Sequence, residues 1–163
     1  MDEVKAAVTQ RDRLARLHVA RGNALIAARG YGARETSDAF AMALAAAGDR
    51  TGPERLAADF GLWVGAYLRG ELDAMRAHAA TFLADASAAP NSPEAGVAER
   101  IAGLTQWFVG APLEARQHLE RALNLFEPGR DDDLAFRFGH DAGVGQPRSV
   151  YGCSAKSVAP LTS

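Results

Sequence analysis

Three glycines, Gly30, Gly70 and Gly110, recur at one constant step, and each ends one apolar helical run and precedes another. The intervening breaks keep that interval, with loop-like stretches at 48–53, 90–93 and 128–133. A chain punctuated at a fixed period of about 40 residues is built from two-helix units, which stack so that each covers its neighbour's apolar face. The sequence therefore predicts an all-α fold, a right-handed α–α superhelix of three hairpins over residues 2–47, 53–88 and 93–126. The repeat domain is expected over 1–138, and residues 139–163 are expected to form a poorly ordered tail.

The central hairpin carries the clearest pattern. Leu56, Phe60, Trp63, Val64, Tyr67 and Leu68 follow i, i+4, i+7, i+8, i+11 and i+12, one broad helical stripe. After Gly70 a second stripe runs through Leu72, Met75, Ala79, Phe82, Leu83 and Ala86, so a very short turn must fold the two helices antiparallel. Trp63 and Tyr67, one turn apart, read as packed core rings rather than a ligand platform.

The flanking hairpins repeat the scheme. The first helix is expected from about residue 2 to 29, with Val4, Ala7, Val8, Leu14, Leu17, Ala24, Leu25 and Ala28 facing inward. Gly22 within it points to a close helix crossing, because a mid-helix glycine costs about 1 kcal/mol relative to alanine. Its arginines spread around the cylinder and read as a solvated face. The second helix turns Phe40, Ala43, Leu44 and Ala47 inward and ends on Gly48. Pro53 suits the first turn of the third helix, capped by Thr51 or Gly52, and Ser92-Pro93-Glu94 reads as cap, first turn and dipole-matched acid. The fifth helix presents Val97, Ile101, Leu104, Trp107 and Phe108, and the sixth Leu113, Ala115, Leu119, Ala122, Leu123 and Phe126. The expected core is thus built on Phe40, Phe60, Trp63, Tyr67, Phe82, Trp107, Phe108, Leu119 and Phe126. Glu114 with His118, and Gln117 with Arg121, are i,i+4 neighbours expected on the exposed side.

Composition narrows the function. The chain has 163 residues, 48% of them hydrophobic and 23% charged, enough for one domain with a real core. A net charge of -2 gives no electrostatic reason to expect a nucleic-acid or acidic-membrane partner. The one cysteine, Cys153, cannot close an internal disulfide, and no apolar run approaches the roughly 20 residues that span a bilayer. With an N-terminus lacking the apolar core of a signal peptide, the expected location is cytoplasmic.

The Gly30-Tyr31 turn, GLWVGAYLRGEL at 61–72, SPEAGVAERIAGLTQWFVGAPLEARQHLERAL at 92–123 and DLAFRFGHDAGV at 133–144 resemble a family. They are similar to the tetratricopeptide-like repeat region of large bacterial signalling proteins that join a class III adenylate/guanylate cyclase domain to an AAA-type ATPase module. The resemblance covers about residues 11–144 and implies a role in protein interaction or regulation, the catalysis residing in other domains. The chain departs from those relatives in having no GxxxxGK[ST] phosphate loop and no cyclase metal-binding segment, so neither activity carries over. It departs again after Val144, where a polar, aperiodic end replaces a further apolar helix. The last hairpin is then left uncovered near Trp107, Phe108, Leu123 and Phe126, a flank that could dimerise or be covered by Leu134, Phe136 and Phe138.

Little in the sequence suggests chemistry. His18, His78, His118 and His140 fit no metal-ligand spacing, although His78 and His118 occupy equivalent positions in consecutive repeats. Asp131, Asp132 and Asp133 lack the spaced ligands of a calcium loop. His140-Asp141 has only Ser149 and Cys153 nearby as nucleophiles, on the expected tail. The carboxylates read as scattered over exposed faces. No catalytic, cofactor-binding or metal-ligating residue is expected, and no cofactor. The reading is a non-catalytic module whose concave helix face takes a protein or peptide segment, with a homodimer through the uncapped C-terminal repeat as a further expectation. The alternative is a small-molecule sensor coupled to a signalling partner.

Overall fold

A computed structural model describes residues 2–127 together with 130 and 134, with side chains described from residue 5 onward. The expected tail, Asp131 to Asp133, Phe136, Phe138, His140, Asp141, Ser149 and Cys153 lie outside the described residues. Six helices follow one another: α1 (Asp2–Arg29), α2 (Arg34–Ala47), α3 (Pro53–Arg69), α4 (Leu72–Ala86), α5 (Pro93–Phe108) and α6 (Pro112–Leu125). Among the described residues there is no strand, and no helix is long and apolar enough to cross a membrane.

The punctuation works as its chemistry demands. Gly30, Gly70 and Gly110 take φ of 84°, 72° and 83°, the left-handed region where a Cβ is penalised. Pro53 and Pro93 sit in the first turns of α3 and α5, where the missing N–H has no partner to lose. Ser92 accepts at Oγ from the Ala95 N–H at 3.3 Å, and Gly52 occupies the cap of α3. Consecutive helices pack in chain order, and α1 also meets α3. Three antiparallel hairpins, α1–α2, α3–α4 and α5–α6, are thereby layered side by side as an all-α helical repeat.

The main core runs through the second hairpin into α5: Phe60, Trp63 and Val64 of α3, Met75, Ala79 and Phe82 of α4, and Val97, Ala98 and Ile101 of α5. Burying large apolar side chains stabilises by about 1.5–3 kcal/mol each before entropy is counted. A smaller cluster joins Phe40 and Ala43 of α2 to Ala58 and Leu62 of α3. Here the crossing expected from Gly22 appears, with a second glycine opposite. A Cβ on Gly22 would stand 2.7 Å from Phe40 Cε1 and Cζ, and one on Gly61 would stand 2.6 Å from Cδ2 and 2.7 Å from Cζ. The Phe40 ring is clasped between two helix backbones. Hairpins two and three fill another rung with opposite sizes: Trp63 and Ala79 in one, and at the same places one repeat on, Gly103 under Leu119 in the other.

The expected inward face of α1 is corrected. Ala7, Val8, Leu14, Leu17, Ala24 and Ala28 are exposed and Leu25 is half-buried, whereas Ala15, Val19, Gly22 and Ile26 face α2 and α3. Gly22 sets that side, because a Cβ there would enter the space of the Phe40 ring. Val8 continues the inward stripe, but α1 extends beyond the end of α2, which the Asp12–Arg50 ion pair at 2.8 Å marks.

Part of the expected core is corrected too. Phe40, Phe60, Trp63 and Phe82 are buried, but Tyr67 and Leu119 are half-buried, and Trp107, Phe108 and Phe126 are 61%, 46% and 42% exposed. Leu68, Leu72, Leu113 and Leu123 are likewise exposed. Trp107, Leu123 and Phe126 share one cause: among the described residues no further hairpin packs on the third. Phe108 instead lies edge-on to Tyr67 of the second hairpin, and its counterpart one repeat earlier, Leu68, is exposed too. Leu134 packs against the main core, and Arg130 donates to the carbonyls of Leu125 at 2.7 Å and Asn91 at 3.3 Å.

Candidate functional site

Two polar rungs recur with the repeat. His78 of α4 donates from Nδ1 to Asp59 Oδ1 of α3 at 3.1 Å, and His118 Nδ1 of α6 stands 2.7 Å from Glu99 Oε2 of α5. Both members shift together by one repeat, so the equivalence of the histidines extends to their acids. The expectation that carboxylates lie scattered on exposed faces fails at Asp59, which is 1% exposed within the apolar stripe of α3. Its Oδ2 is buried with no hydrogen-bond partner among the described residues. Glu99, by contrast, also accepts from Arg121 Nε at 2.9 Å. His118 and Arg121 of α6 both meet Glu99 of α5, and Arg121 Nη2 stands 2.7 Å from His118 Nδ1 along α6 itself.

Other polar contacts tie hairpin to hairpin. Arg55 Nε donates to Asp85 Oδ2 at 2.5 Å and its Nη1 to the Gly48 carbonyl at 2.6 Å, joining α3, α4 and the end of α2. The hydrogen bond to Asp85, outweighing partial burial and aided by the charges of Asp85, Asp59 and Asp49, raises the Arg55 pKa above its usual range. Arg69 grips Glu71 through two nitrogens at 2.9 and 2.8 Å and reaches Ser37 of the first hairpin at 2.9 Å. Trp63 Nε1 donates to Thr105 Oγ1 at 2.9 Å, and that hydroxyl donates to the Ile101 carbonyl at 2.7 Å, a fully buried relay from α3 to α5.

Among the described residues no three His, Cys, Asp or Glu side chains come together as a metal site. A shallow cleft of about 260 Å³ lies between α1 and α3, lined by Arg16, Val19, Asn23, Pro53, Glu54 and Ala57. Neither His78 nor His118 reaches it.

The third hairpin offers a different surface. The ring series Phe60, Trp63, Tyr67 and Phe108 steps outward from the core, with Trp63 stacked on Tyr67 at 5.9 Å and Tyr67 edge-on to Phe108 at 5.1 Å. Beside it, Leu119, Leu123 and Phe126 follow i, i+4 and i+7, with Trp107 one turn beyond the Gly103 that seats Leu119. In the second hairpin the equivalent residues are Tyr67, Ala79, Leu83 and Ala86, all packed in the core that includes Val97, Ala98 and Ile101 of α5. The stripe Trp107, Leu119, Leu123 and Phe126 is therefore the surface that would receive another hairpin. Sequence reading counted Trp107, Leu119 and Phe126 in the core from their periodicity, but it also expected the flank near Trp107, Phe108, Leu123 and Phe126 to lack cover, and those four are exposed. The turn and capping residues Gly30, Gly70, Gly110, Pro53 and Pro93 shape the hairpins and take no part in this surface.

No family model, curated protein or solved structure matches the chain.

Proposed function

We propose that this chain is a non-catalytic helical-repeat module for protein–protein interaction, and that the end face of the third hairpin is where a partner docks. The observation that carries this reading is apolar identity at all four positions whose counterparts one repeat earlier are covered by a hairpin. A soluble fold rarely leaves such a patch open except for binding. The resemblance to repeat regions of cyclase–ATPase signalling proteins supports a regulatory setting. The small-molecule sensor reading finds less support, because the α1–α3 cleft falls below the roughly 300–1,000 Å³ typical of ligand sites.

The test is a photo-cross-linkable residue at position 107, compared with one at exposed Arg76 on α4. Irradiation in the native cells should give protein adducts from position 107 and few from 76. Equal yields, or none at 107, would overturn the proposal.

A further inference from the structure

We draw no further inference here: the strongest candidate, the outward side of α1 where Leu14 and Leu17 are exposed between Arg13 and Arg21, is an unpartnered helix face, and nothing in the structure shows what covers it.

Discussion

At the residue scale the tightest constraint is the Phe40 ring between Gly22 and Gly61. Neither glycine serves a turn; each is there because a methyl group would enter the ring's space. Gly61→Ala should destabilise the fold by about 1–3 kcal/mol, the usual effect of overpacking a filled core. In combination with Phe40→Leu the penalty should shrink, giving a coupling of at least about 0.5 kcal/mol between the two sites. Urea unfolding of the two single variants and the double variant measures both quantities, and a neutral Gly61→Ala would contradict the clasp. Sequence reading anticipated a crossing at Gly22 but missed its twin, because Gly61 lies amid large apolar residues whose periodicity hides it. It likewise saw His78 and His118 as equivalents but not Asp59 and Glu99, although the same shift relates them. A helical stripe shows which residues share a side, not which polar atom faces them from the next helix.

At the scale of the element, the His–acid rungs hold the two helices of a hairpin in register, yet they are not equally buffered. Removing His78 leaves Asp59 buried with neither oxygen paired, whereas removing His118 leaves Glu99 with Arg121. His78→Ala should therefore cost about 1–3 kcal/mol, the penalty for stranding a buried polar group, and His118→Ala distinctly less. Thermal unfolding of the two variants side by side decides it, and equal losses would mean that Arg121 contributes nothing to Glu99. Helix limits were legible in the sequence because glycine and proline act locally: Gly48, Gly52, Pro53, Ser92 and Pro93 all sit where their backbone chemistry places them. The inward side of α1 was not legible. That helix has two apolar sides, and the choice between them was made by an aromatic ring on α2.

For the whole molecule, the recurrence of hairpins was readable from three glycines, whereas the side each helix turns inward depended on its neighbours. Stability should be graded accordingly, since each unit of a stacked array leans on the units beside it. Amide hydrogen exchange should be slowest in α3 and α4, which have hairpins on both sides, and faster in α6 and in the part of α1 beyond α2. A uniform exchange profile would mean that the three hairpins open together. The strict shift between the second and third hairpins has a further consequence. Pro53 with Pro93, Gly70 with Gly110, and His78 with His118 all keep one interval, so an in-frame duplication of residues 53–92 would insert a whole unit, with Ser92 capping Pro53 at the new seam. The chain can be lengthened by copying a segment of its own gene, with no new joint to invent.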